Sequence, residues 1–288
     1  MEQFFIETKN LSYTYGEKTP FETIALQDVS VSIRKNSFTC IIGHTGCGKS
    51  TLIQHFNGLL SPKEGTILIE GKPVKKSDVS LLRQRVGLLF QYPEHQLFEA
   101  TVYKDIAFGL KKAKLTEEET DRRVKEAITA VGLPEEILER SIYSLSGGQK
   151  RRIAIAGVLV MQPELLILDE PAAGLDPQGR DEILSMIARL HKEKNMTVVL
   201  VSHSMEDVAK LADYIIVMNK GKVELEGTPK EVFPQTERLE EIGLSVPQVT
   251  YLMKKLHALH PQIVENCFTV EEAVENILAV LGGKGNVE

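Results

Sequence analysis

One loop constrains this chain more than any other stretch: Gly43-His44-Thr45-Gly46-Cys47-Gly48-Lys49-Ser50. It fits G-x-x-x-x-G-K-[ST], the phosphate-binding P-loop pattern. Its flanks fit as well. Phe38-Thr39-Cys40-Ile41-Ile42 reads as a buried strand, and Thr51-Leu52-Ile53-Gln54-His55-Phe56 as the start of a helix. Glycines allow the loop to curl through positive φ. Successive N–H groups then turn inward as an anion nest, and the helix adds the positive end of its dipole. Lys49 is expected to reach the β- and γ-phosphates, and the Ser50 hydroxyl to ligate Mg²⁺.

Three further apolar strands end in groups suited to phosphate chemistry. Leu165-Leu166-Ile167-Leu168 ends in Asp169-Glu170, Thr197 to Val201 in Ser202-His203, and Val86 to Phe90 in Gln91. An open parallel sheet binds ligands at the carboxyl ends of its strands. There Asp169 suits Mg²⁺, and Glu170 is placed to polarise an attacking water. His203 can donate to a γ-phosphate. Gln91 can serve metal through its carbonyl and water through its amide. Ser146-Gly147-Gly148, ahead of a helix from Lys150 to Val160, is a second anion nest by the same physics. One γ-phosphate does not require two nests, so the second is expected to serve a nucleotide held by another subunit. Tyr13 and Tyr15 close the first strand segment, and either is an aromatic that can stack on a base.

The organisation around these groups is α/β. Phe4 to Leu11 and Ile24 to Ile33 read as strand segments. Val29-Ser30-Val31-Ser32-Ile33 alternates as a half-buried antiparallel strand does. Aromatics, His95 and Pro93 mix with acidic residues from Tyr92 to Phe108, and Thr116 to Val131 reads as a charged helix. Thr116 is its expected N-cap, and Glu119 is expected to complete a capping box. This middle section reads as an inserted helical subdomain. After Pro234 the strand pattern stops, helices are expected over Gln248–Leu259 and Val270–Leu281, and the end from Gly282 to Asn286 is expected to fray. A tail of about fifty residues is too small for a strong core of its own and is expected to pack on the main domain or a partner. His257 and His260 within it read as surface residues.

The 288 residues carry a net charge of −6, which argues against a nucleic-acid partner. Three cysteines, Cys40, Cys47 and Cys267, lie far apart and read as free thiols of a reducing compartment. The N-terminus lacks the blocks of a signal peptide, and the longest apolar stretch, Ile153 to Met161, is about half the length of a membrane span. A membrane role must come through a partner.

Residues 4–235 resemble the ATP-binding cassette ATPases. The match rests on the P-loop Gly43 to Ser50, Gln91, the signature Leu145-Ser146-Gly147-Gly148-Gln149, Leu165 to Glu170, Ala173-Gly174-Leu175-Asp176 and His203, in the family's order. The resemblance implies an α/β P-loop NTPase core with an antiparallel β subdomain and an inserted helical subdomain over about 92–157. Residues 1–238 would form the nucleotide-binding domain and 239–288 a C-terminal helical accessory region. It implies ATP and Mg²⁺, with Tyr15 rather than Tyr13 stacking on adenine. Gly43, His44, Thr45, Gly46, Cys47, Gly48, Lys49, Ser50 and Thr51 would hold the phosphates, and Ser50, Gln91 and Asp169 the metal. Glu170 would be the general base and His203 the γ-phosphate contact. Ser146, Gly147, Gly148 and Gln149 would complete the facing subunit's site, and Asp176 would link the two sites. Cys47 departs from the family's more usual serine; the backbone amide does the work there, and its thiol is expected to react with alkylating agents.

A narrower resemblance is to energy-coupling-factor ATPases, the second or A-prime type. It is carried by Gly43-His44-Thr45-Gly46 followed by Leu52-Ile53-Gln54-His55-Phe56-Asn57-Gly58-Leu59, by Phe90 to Phe98, by Ala154 to Leu159 and by Ala172 to Pro177. It implies a heterodimer with a second ATPase, beneath a transmembrane T component and a substrate-binding S component, at the cytoplasmic face of the membrane. Such an assembly drives uptake of a vitamin or a transition-metal ion. Tyr92 to Phe108 would line the groove that receives the T component. The alternative is a soluble ATP-switched clamp for DNA repair or translation. The interval from Gln91 to Leu145 is too short for the coiled coil of the repair relatives, and one P-loop is too few for the translation relatives.

Overall fold

The computed structural model describes residues 3–282. The chain opens with strands β1 (Phe4–Tyr15), β2 (Thr23–Val29), β3 (Ser32–Arg34) and β4 (Phe38–Ile42), then helix α1 (Lys49–Phe56). Next come β5 (Glu64–Ile69), β6 (Lys72–Pro73), α2 (Val79–Arg85) and β7 (Val86–Leu89). The helical stretch holds α3 (Val102–Phe108), α4 (Glu117–Ala130) and α5 (Gly147–Leu159). The core resumes with β8 (Leu165–Asp169), α6 (Pro177–Lys194), β9 (Thr197–Val201), α7 (Met205–Leu211), β10 (Tyr214–Asn219) and β11 (Lys222–Gly227). Four helices end the described residues: α8 (Pro229–Val232), α9 (Thr236–Glu241), α10 (Gln248–Leu259) and α11 (Val270–Gly282).

Two sheets divide the strands. The larger runs β11-β10-β4-β9-β8-β7, with every pair parallel except β10 with β11. Strands β4, β8 and β9 are buried along their whole length, which is why they read in sequence as unbroken apolar runs. The parallel register carries β4, β7, β8 and β9 to the same edge, each followed by a loop. The smaller sheet is antiparallel, ordered β2-β1-β5-β6, with β3 also on β1.

The strand expected across Val29 to Ile33 is broken. Asp28 takes a left-handed φ of 52°. The Thr8 hydroxyl donates to the Val29 carbonyl at 3.0 Å and accepts from the Val31 amide at 3.1 Å. These bonds take the place of a ladder where the chain crosses from one part of β1 to another. β2 pairs with Leu11–Tyr15 and β3 with Phe4–Glu7. The capping box expected at Thr116 is half formed. Its side chain accepts from the Glu119 amide, but the Glu119 carboxylate is taken by Arg122 and Arg123 at 2.7 Å each.

The helical stretch shares the main core: Val102, Ile106, Val124 and Ile128 are fully buried in the same apolar cluster as Leu166 and Leu168. The tail is divided. Leu239, Leu244, Val246 and Phe268 join that main cluster, whereas Met253, Ile263, Cys267 and Ala273 form a small one of their own. Position 238/239 falls inside α9, a helix that sequence patterning passed over. His257 bonds the Ile263 carbonyl at 2.6 Å, and no cluster of metal-ligating residues occurs among the described residues. Residues 283–286 of the expected frayed end lie outside the described residues.

Candidate active site

The P-loop leaves β4 and closes onto α1. Gly48 caps α1 at φ 105°, and a Cβ there would stand 2.4 Å from the Ala25 carbonyl, so only glycine fits. Lys49 is buried, and its ammonium donates to the Gly43 and His44 carbonyls at 2.6 and 2.9 Å. The loop thereby holds its own cation within its curl.

A cavity of about 480 Å³ joins Thr45, Gly46, Gly48, Lys49, Ser50 and Thr51 to Tyr15, Gln91, Asp169, Glu170 and His203. Four strand ends meet there. The Ser50 hydroxyl donates to Asp169 Oδ2 at 3.0 Å. Glu170, in a left-handed φ of 49°, turns away from β8 and is held from two sides. Gln91 Nε2 donates to its Oε2 at 3.1 Å and His203 Nε2 to its Oε1 at 2.6 Å. Burial pushes the Asp169 carboxyl above its ordinary range, against the Ser50 hydrogen bond that favours its charged form. A hydroxyl, a buried carboxylate and the Gln91 amide oxygen are hard oxygen donors of the kind Mg²⁺ takes, so these residues fit the ion.

Tyr15 is the more exposed of the two tyrosines, and its hydroxyl lies 3.3 Å from Thr51 Oγ1. Tyr13 packs against the core and props Tyr15 edge-on at 5.0 Å. Cys47 is buried, with Sγ 3.8 Å from Lys49 Nζ. The expected reaction with alkylating agents is therefore corrected, because a thiol shut behind the loop is not presented to reagents.

The second nest is not brought to this cavity. Ser146 caps α5, accepting from the Gln149 amide at 3.2 Å while Gln149 Oε1 accepts from the Ser146 amide at 3.1 Å. Gln149 thus spends its side chain on a capping box. A Cβ on Gly147 or Gly148 would meet nothing within 4 Å, so packing inside this chain does not require either glycine. Asp176 caps α6, accepting from the Gly179 amide at 2.7 Å.

Arg151 is a residue that motif reading missed. It is 2% exposed, donates to both Glu94 oxygens, and reaches the Pro171 and Ala173 carbonyls at 3.1 and 2.8 Å. It therefore ties the turn after Gln91 and the loop after Glu170 to the helix behind Ser146. Inside the run Lys150-Arg151-Arg152 nothing local marks it as the buried member.

A family model described as ABC transporter matches residues 26–173. The chain belongs to the ABC transporter family. Within it the chain stands among the energy-coupling factor ATP-binding proteins. The energy-coupling factor transporter ATP-binding protein EcfA2 of Clostridium tetani is 55% identical over 282 residues, 97% of this chain and 98% of that protein. The protein of the same name from Ligilactobacillus salivarius is 49% identical over 288 residues, 98% and 99% of the two chains. Among solved structures, cbiO1 of Clostridium perfringens, part of the ABC transporter complex cbiONQ, aligns with a TM-score of 0.75 at 40% identity. That alignment covers 88% of this chain and all of the other. The dimeric ATP-binding cassette MJ0796, in a post-hydrolysis state with ADP and Pi, aligns at 0.68 and 27% identity over 77% of this chain and 98% of its own. The two-sheet ABC ATPase architecture and the helical C-terminal end agree with the fold that the sequence resemblance implied.

Proposed function

We propose that this chain is the ATP-hydrolysing subunit of an energy-coupling factor transporter, the A-prime member of its ATPase pair. The observation that carries the chemistry is the meeting of Lys49, Ser50, Gln91, Asp169, Glu170 and His203 around one cavity. Near full-length likeness to proteins named as transporter ATP-binding proteins favours this reading over a soluble clamp.

In this reading Lys49 and the amides of residues 43–51 hold the phosphates, and Tyr15 stacks on the adenine. Ser50, Asp169 and Gln91 hold Mg²⁺, which when bound neutralises charge on the β- and γ-phosphates. Glu170 takes the proton of the attacking water as general base. Gln91 and His203, which flank its two oxygens, orient it and reach toward water and γ-phosphate respectively.

The open face of Ser146, Gly147, Gly148 and Gln149 completes the site of a second ABC ATPase, and Asp176 lies between the paired sites. Two ATP, one in each of the paired sites, then close the two subunits on each other, and hydrolysis releases them. Phe98 and Phe108, both exposed and packed edge-on at 4.7 Å, with exposed Tyr92 nearby in sequence, offer the apolar surface that a helix of the T component requires. No helix among the described residues is long and apolar enough to cross a membrane. In this reading the chain acts as a peripheral subunit at the cytoplasmic face, and an S component supplies the vitamin or metal ion.

Reconstitution decides it. The chain is combined with a second cassette ATPase, a T component and an S component in vesicles, and uptake of the S component's ligand is followed with ATP inside or outside. Uptake that requires ATP on the side carrying this chain, and that Glu170→Gln abolishes, is the expected result. ATP hydrolysis without association with the membrane components would overturn the transporter assignment.

A further inference from the structure

Outside the catalytic groups, the tail touches the back of the P-loop. His44 Nε2 donates to the backbone carbonyl of Ile242, a contact across 198 residues of sequence. Ile242 is the C-cap of α9. Gly243 follows at φ 71°, and its amide bonds the Glu240 carbonyl at 2.8 Å while the Leu244 amide bonds the Leu239 carbonyl at 2.8 Å. This is a glycine-ended helix stop, which leaves the Ile242 carbonyl free to accept from outside the helix.

Both ends of the contact are tied to something that matters. Leu239 and Val246, on either side of the turn, are buried in the main core, and Arg238 binds Glu224 on β11 at 2.9 Å. The turn is therefore fixed to the body of the protein, whereas His44, Thr45 and Gly46 are exposed. On the other side, the carbonyl of His44 itself accepts from Lys49 Nζ at 2.9 Å. A continuous path runs from the Ile242 carbonyl through the imidazole and the His44 backbone to the phosphate-binding ammonium. The fit is close: a Cβ on Gly243 would stand 2.9 Å from His44 Nε2 and 3.2 Å from its Cε1.

We propose that the C-terminal turn of α9 is a working part of the phosphate loop, holding His44 through the Ile242 carbonyl and so setting how tightly ATP binds. His44 is a positioning residue in this account, and Gly243 is glycine for the ring's passage as well as for its φ. The inference rests on the reading of the P-loop as an ATP site. It extends that site to a segment that begins the C-terminal region.

The experiment is a double-mutant cycle on the full chain, reading the dissociation constant of ATP in competition with the fluorescent analogue TNP-ATP. His44→Ala is expected to weaken ATP binding roughly threefold to tenfold, the scale of one hydrogen bond. His44→Gln, whose amide N–H can donate to the same carbonyl, is expected to recover most of that loss. Gly243→Ala is expected to weaken binding in the parent chain but not further in the His44→Ala background. Unchanged affinity in His44→Ala, or an equal Gly243→Ala loss in both backgrounds, would overturn the clamp. The same cycle read by melting temperature without nucleotide separates the two readings. Coupled melting shifts in a chain that binds no nucleotide would sink the ATP assignment alone, and additive shifts there would sink the clamp.

Discussion

Arg151 and Glu94 form a forked ion pair, with Arg151 Nε and Nη2 on the two carboxylate oxygens at 3.1 and 2.6 Å. The pair joins the turn that follows Gln91 to the helix that begins behind Ser146. It thus couples the turn beside Gln91 to the helix that carries Ser146, Gly147 and Gly148. Its burial makes each partner depend on the other. Removing the arginine leaves a shielded carboxylate without its cation, which costs about 3 kcal/mol. Arg151→Met is therefore expected to lower the urea midpoint strongly, and Arg151→Met with Glu94→Leu to recover part of the loss. Equal midpoints for the single variant and the parent chain would refute the coupling.

Glu170→Gln keeps the hydrogen-bonding shape between Gln91 and His203 but removes the proposed base. Turnover is expected to fall roughly 10²- to 10⁴-fold. ATP should still bind, and phosphate release measured beside nucleotide titration separates the two effects. A variant hydrolysing ATP at the parent rate would reassign the base.

Ser146→Arg removes the N-cap of α5 and adds bulk beside two glycines whose added Cβ would meet nothing in this chain. Nucleotide affinity of the isolated chain should be unchanged, while hydrolysis by the assembled ATPase pair is lost. Loss of both together would place the nest in the chain's own site.

Leu239 is fully buried although it lies in the C-terminal region. Leu239→Ala is expected to cost about 3 kcal/mol, as large-to-small changes in cores do. Deletion from Gln248 onward should be tolerated far better than deletion from Leu239 onward, because Leu239, Leu244 and Val246 remain. Thermal melting of the two truncations checks this, and equal loss would deny α9 its place in the core.

Glu70 receives Lys35 and Arg85, and the Lys35 hydrogen bond is the main cause of a carboxyl held below its ordinary range. A group with a depressed folded pKa stabilises above its unfolded value and loses that contribution as pH falls through the folded one. Melting temperature should therefore drop below pH 4.5 by more in the parent chain than in Glu70→Gln. Parallel pH profiles would remove Glu70 from the account. The effect is modest, because about a third of the side chain faces water.

What could be read beforehand follows from range. The strands β4, β8 and β9 were legible because strands buried on both faces are continuously apolar, and the residues closing them mark the sheet edge. The break at Ser30 was not, because alternation of Val29, Val31 and Ile33 looks the same whether the ladder continues or Thr8 interrupts it. α9 was missed because Leu239 is the lone large apolar residue in Thr236–Glu241, too little for a period. Arg151 and the His44 contact were illegible for a further reason. Each is decided by a partner brought near only by the finished fold.

The Ser50–Asp169 bond has one more consequence. It joins residues 119 positions apart, and the strands that bring them together are separated by the whole helical stretch. No partly assembled chain can contain the site, and pairing of that range makes folding slow. At the proposed site ATP would therefore recognise only completed molecules. At a hundredfold excess over its dissociation constant it would add about 2.7 kcal/mol to their stability. In a cell the nucleotide would then act as a chaperone of sorts for this chain, and its depletion would leave the subunit more open to proteolysis.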